Sequence, residues 1–235
     1  MSTYQIISSS ISFVNRNIDF YFYVLFIPVI LSIIGIFLYP FFTLNIFYSI
    51  LSTIVYIITV FYSYKAVISI HRFIILNENP NNFNFQIKRT FIYFLYTWLL
   101  ILVAIGPFIL AITTLLLSPD NFILVGVSIL LFFLGFIWLF ISICFFSLNF
   151  PLIAIGKKVS FFKMWNLSKG FRLTLFLQTL CLTVITAIGN GLIQYFENTF
   201  LTIVIWIMDY YLFVIFITCL SKTHILWVEK KEKVL

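Results

Sequence analysis

Six long apolar stretches, separated by short polar breaks, organise this 235-residue chain. They run from about Phe20 to Tyr39, Asn45 to Ile70, Thr90 to Leu117, Phe122 to Leu148, Leu173 to Tyr195 and Phe200 to Leu220. Each has the roughly 20 residues a helix needs to cross about 30 Å of hydrocarbon. None alternates apolar and polar residues in the way of a barrel strand. The pattern predicts an all-α polytopic bundle, six transmembrane helices arranged as three hairpins in a single membrane domain spanning 1–235. Pro28 and Gly106-Pro107 should kink the first and third spans.

The polar breaks are of two kinds. Pro40 to Leu44, Ser118 to Asn121 and Glu197-Asn198 are tight turns, whereas His71 to Arg89 and Pro151 to Phe171 are long connections. Asn77 to Asn84, around Pro80, reads as a solvated loop. In the later connection a short interfacial helix is expected between Ser160 and Gly170, with Phe161 and Trp165 on one face and Lys163, Asn166 and Lys169 on another. Residues 1–19 carry Ile7, Ile11, Val14 and Ile18 at helical spacing opposite Ser8, Ser12, Asn15 and Arg16. They predict an amphipathic helix lying on the membrane surface. A cleaved secretory signal is disfavoured, because the apolar run is long and no A-x-A-like site follows it. Residues 221–235 read as a polar tail.

Composition narrows the class. Apolar residues make up 63% of the chain and charged residues 9%, against about 25% charged in soluble domains. All fourteen Lys and Arg residues fall at the two termini or at the even-numbered connections: one in the amino-terminal segment, four around the second connection, five around the fourth and four in the tail. Lys65 is among the second group because its stem can snorkel to the headgroups. The first, third and fifth connections hold no cation. By the positive-inside rule both termini are expected in the cytoplasm. The net charge of +7 therefore points to anionic lipid headgroups, or to a membrane or cytoplasmic protein partner, and away from nucleic acid.

Candidate chemistry is sparse. Asp209 lies in the sixth span, where a carboxylate costs about 2.5–3.5 kcal/mol on insertion scales. Counting from the outer ends puts it level with Thr186 and Asn190. These three form a candidate intramembrane polar cluster, either a proton or cation site or a hydrogen-bonded link between two helices. The second is preferred, since no other span carries an ionisable partner at that depth. Thr179, Thr183, Ala187 and Gly191 form a small-residue ridge suited to helix packing. Gln178, Asn190 and Gln194 suit interhelical bonds or a polar cavity. Lys157, Lys158, Lys163, Lys169 and Arg172 form a candidate surface for headgroups or a partner. Cys144, Cys181 and Cys219 read as small hydrophobes. His71 and His224 sit at helix ends without ligand spacing to any acid or thiol. No catalytic signature or cofactor motif is present, which argues against an enzyme. Phe, Ile, Tyr and Asn all have AT-rich codons, so the aromatic excess is no argument for a ligand box.

A repeat of hairpin plus connector is visible in Arg72-Phe73-Ile74-Ile75-Leu76, Asn149-Phe150-Pro151-Leu152-Ile153 and Thr223-His224-Ile225-Leu226-Trp227. His71 to Leu76 followed by Glu78-Asn79-Pro80, and Phe150 to Gly156 followed by Met164 to Gly170, resemble segments of a group of bacterial six-span inner-membrane proteins. Similar segments occur in the membrane domain fused to some glycerophosphodiester phosphodiesterases. Asn149 and Phe171 depart from that pattern, where Arg and Asn are usual. The resemblance implies the six-span architecture and carries over no hydrolytic activity, because no phosphodiesterase domain is present. Two functional readings follow: a non-enzymatic protein organising lipid or partner proteins through a basic face, or a small transporter or channel with a polar site near Asp209.

Overall fold

The computed structural model describes residues 3–38, 41, 45–78, 87–117, 121–157, 161–170, 172–196 and 199–229. They are helical almost throughout, with no strand among them. The helices are α1 (Thr3–Arg16), α2 (Ile18–Leu38), α3 (Ile46–Leu76), α4 (Ile87–Leu117), α5 (Phe122–Phe146), α6 (Asn149–Ile155), α7 (Phe161–Leu167), α8 (Arg172–Phe196) and α9 (Thr199–Thr223); a π-helical stretch, His224–Glu229, extends α9. Six helical segments are long and apolar enough to cross a membrane. The chain is an all-α, multi-pass integral membrane protein, and its apolar surface needs no other helix to cover it, because lipid tails are as apolar as Leu.

Three hairpins form as the pattern predicts: α2 packs on α3, α4 on α5 and α8 on α9. Asn45 and Asn121 open α3 and α5, each side chain accepting from backbone N–H groups of the first turn. The hairpins meet mainly at one end. On α3 only Ala66 to His71 are buried; on α9, Val214, Ile217 to Ser221 and Thr223. Val67, Ile70, Tyr93, Tyr96, Phe146, Phe150, Val214 and Ile217 share one core cluster there. The opposite ends of α3 and α5 face outward, with Ile46, Phe47, Ile54, Phe122 and Ile123 all exposed.

Three boundaries differ from expectation. The fourth span does not end at Leu148: a two-residue break leads into α6, whose residues Asn149 to Ala154 are all buried, so Pro151 belongs to the bundle and the connection starts at Gly156. Helix α3 runs on through His71 and Arg72 to Leu76. Lys222 lies within α9, so the segment after Leu220 is not tail as far as Glu229.

Helix α1 forms, and the face it packs on the bundle is offset from the apolar stripe expected to meet the membrane. Its buried residues are Ile6, Ser10 and Val14, packed against α9. Ile11 and Ile18 are exposed. Ser10 can sit inside because its Oγ donates to Ile6 O at 2.8 Å, which satisfies the hydroxyl locally.

The kink residue Pro107 has a counterpart across the hairpin. Proline lacks the N–H that would bond the carbonyl four residues back, and in hydrocarbon that carbonyl must find another donor. The Trp138 indole Nε1 donates to Val103 O at 2.8 Å. Close by, a Cβ at Gly135 would lie 3.0 Å from the Phe108 ring.

Candidate functional site

The contacts that close the bundle bring the described cations to one end. Helices α3 and α9 end there, α4 and α8 begin there, and α6 and α7 lie between. His71 ties three of these together. Tyr93 OH donates to its Nε2 at 3.1 Å, its Nδ1 donates to Ser221 Oγ at 2.6 Å, and Ser221 Oγ donates to Ile217 O at 2.9 Å. The last bond sets the direction of the others and fits a neutral imidazole. Beside it, Asn149 Nδ2 donates to Tyr96 OH at 2.8 Å and to Phe145 O at 2.9 Å. Sequence spacing could not reveal the His71 chain, whose partners lie 22 and 150 residues away.

The predicted basic surface is divided by the fold. Lys157, Lys163 and Lys169 are exposed, and Lys158 lies outside the described residues. Arg172 instead turns onto α7. Its guanidinium carbon is 3.6 Å from the centre of the Trp165 ring, Nη2 donates to Trp165 O at 2.8 Å, and Nε donates to Ser168 Oγ at 3.4 Å. Trp165 stacks on Phe145 at 4.6 Å between centroids with 12° between planes. Phe145, Trp165 and Arg172 thus form one stack that fastens α7 to α5. The Phe161 side chain, expected on that face, lies outside the described residues. Lys222 is likewise engaged, donating to Ser9 O on α1 at 2.7 Å with its Nζ 4.9 Å from the centre of the Phe13 ring.

A second arrangement escaped the sequence reading. Arg72 donates through Nε and Nη2 to both carboxylate oxygens of Glu78, and its Nη1 donates to Ala154 O at 3.2 Å. Gly156 closes α6 in the left-handed region, at φ +79°. The Arg89 guanidinium packs so closely there that a Cβ on Gly156 would lie 2.7 Å from Nη2. The signal available in the sequence was the glycine after a short apolar stretch, together with Arg72 and Arg89, the two Arg residues of the second connection.

Asp209 faces α8 near Gly189: a Cβ built on that glycine would lie 3.8 Å from Asp209 Oδ1 and 3.1 Å from Ile205 Cγ2. Thr186 is half-buried one turn before Gly189. The side chains of Asn190 and Gln194 fall outside the described residues, and Gln178 is buried. The ridge of Thr179, Thr183, Ala187 and Gly191 does not form the close approach between α8 and α9. Thr183, Ala187 and Gly191 are exposed, and nothing lies within 4 Å of a Cβ built on Gly191. The tight contact falls instead at Gly189.

A cavity of about 1000 Å³ lies between the hairpins, lined from Ser52 to Val67 on α3 and by Ser32, Thr97, Thr179 and Tyr210 on other helices. Its wall is mostly apolar, with scattered hydroxyls. Ser32 and Tyr210 share a hydrogen bond of 2.8 Å. Asp209 is not part of the wall. Tyr93 and Phe150, 4.9 Å apart, line its end nearest the cations.

Among the described residues no group of three or more His, Cys, Asp or Glu is placed to hold a metal. Cys144 and Cys219 are buried and Cys181 is exposed. No family model, curated protein or solved structure matches the chain.

Proposed function

We propose that this membrane protein is non-enzymatic and engages anionic phospholipid through its basic end. That end faces the cytoplasm of a bacterial cell, with both termini on the same side. The observation that carries the reading is the gathering of described cations at the packed end of an otherwise apolar bundle, where the Lys157, Lys163 and Lys169 residues are exposed. A Lys near an anionic leaflet gains about 1 kcal/mol. Three such residues suffice to enrich anionic over zwitterionic lipid around one protein. The resemblance to the membrane domain fused to some phosphodiesterases accords with a lipid-facing role and adds no hydrolytic step. A protein partner on the same face is the other form of this reading.

The test uses the full chain in nanodiscs of mixed phosphatidylglycerol and phosphatidylcholine. Retained lipid is counted by mass spectrometry. Changing Lys157, Lys163 and Lys169 together to Gln is expected to lower phosphatidylglycerol enrichment at least about tenfold at low salt, and the wild-type enrichment should fall as salt rises. Unchanged enrichment in the triple variant sinks the reading.

The cavity favours a second reading, carriage of an uncharged, largely apolar molecule. Asp209 then plays no part in binding, since it lies outside the wall. Transport that fails in Asp209→Asn would instead restore an acid-dependent site.

A further inference from the structure

The carboxyl end of α6 gathers more positive charge than the helix uses. The Gly156 N–H bonds Ile153 O at 3.1 Å, the Lys157 N–H bonds Leu152 O at 2.9 Å, and Arg72 takes Ala154 O. The carbonyls that normally need a cap at a helix end are thus nearly all satisfied without Arg89. Glu78 is bonded through both oxygens to Arg72. Arg89 is within electrostatic range of both Arg72 and Glu78. Yet its Nη1 is buried and has no hydrogen-bond partner. A buried guanidinium N–H without an acceptor is costly. Both oxygens of the nearby carboxylate go to Arg72, and Lys157 adds another positive charge beside Gly156.

We propose that Arg89, seated against Gly156 and flanked by Arg72, binds a phosphate group at the basic end of the bundle. A planar guanidinium suits phosphate oxygens better than an ammonium does. The position suits the phosphodiester of an anionic lipid, and free phosphate offers the same chemistry. The glycine is part of the site: any Cβ there would push the guanidinium aside. The inference rests on the lipid-binding reading above and sharpens it from a diffuse surface to one residue.

Salt separates the two. Exposed lysines are screened at high salt, whereas a partly buried Arg is screened much less. At high salt the phosphatidylglycerol enrichment that remains in nanodiscs is expected to fall about tenfold in Arg89→Gln, the loss of a charge-assisted bond. It should fall by a smaller factor in Arg89→Lys, which keeps the charge and loses the fork. Gly156→Ala should also weaken binding although every cation is retained. In neutral detergent, inorganic phosphate followed by phosphorus NMR tests the other source. Binding there that weakens in Arg89→Gln, with no lipid enrichment in the wild type, assigns the site to free phosphate and overturns the lipid reading alone. Wild-type behaviour of Arg89→Gln with both probes, or no binding of either probe by the wild type, overturns the inference while the triple-lysine result stands or falls separately. If Arg89→Gln does not fold, Arg89→Lys decides: binding equal to wild type with both probes overturns the inference.

Discussion

At the residue scale, single side chains in this protein repair backbone groups that the membrane would otherwise leave unpaired. Trp138 and Pro107 show it best. The Trp138 N–H fills the place of the N–H that proline removes, at 2.8 Å from Val103 O. Trp138→Phe should therefore cost about 1 kcal/mol, the scale of a hydrogen bond inside a membrane protein. In a Pro107→Ala background the helix supplies its own donor, and the same change should cost close to nothing. Unfolding of all four proteins in mixed micelles closes the double-mutant cycle. Equal costs in the two backgrounds would mean that Trp138 acts by packing alone. His71 does a different job, linking side-chain hydroxyls across three helices. The sequence offered only a helix-end histidine, because its partners Tyr93 and Ser221 are distant along the chain.

At the element scale, the spans were legible because an apolar run of sufficient length leaves few alternatives in a membrane. What was not legible was the direction each helix faces. In α1 the apolar stripe at Ile7, Ile11 and Ile18 stands out by composition, but the face that packs on α9 contains Ser10, whose hydroxyl bonds to Ile6 O. A serine satisfied by its own helix behaves as a small buried residue, and pattern reading counts it as polar. The same limit displaced the α8 contact from the small-residue ridge to Gly189, where the partner atom Ile205 Cγ2 decides the fit. Lys222, in the segment that reads as a polar tail, instead anchors α1. Lys222→Gln should loosen that helix by about 1 kcal/mol, reduced from a buried charged bond because the amine is partly solvated. Hydrogen exchange over residues 3–16 should then quicken about fivefold relative to α4 and α5. Unchanged exchange would mean that Ile6 and Val14 hold α1 unaided.

At the scale of the whole molecule, the packing is one-sided: the hairpins join firmly where the cations lie and part toward the other end. In water such a bundle would collapse to bury its faces. In lipid the drive is absent, so close approach occurs only where small residues or polar bonds provide it, and a cavity survives elsewhere. Along α3 its wall runs from Ser52 to Val67, about 22 Å at 1.5 Å per residue. Two glycines distinguish the regimes. Nothing lies within 4 Å of a Cβ on Gly35, in the cavity wall, whereas a Cβ on Gly135 meets the Phe108 ring at 3.0 Å. Gly135→Leu should lower the melting temperature of the detergent-solubilised protein, because overpacking typically costs about 1–3 kcal/mol. Gly35→Leu should leave it unchanged or raise it, since the side chain enters open space and removes a flexible glycine from a helix. Were both variants destabilised alike, the hairpins would have to meet along their whole length, and the one-sided architecture from which both the cavity and the basic end are argued would fall with it. If only Gly135→Leu is destabilised, the space between the hairpins is room that a lipid chain or apolar solute can occupy without displacing the protein's own contacts.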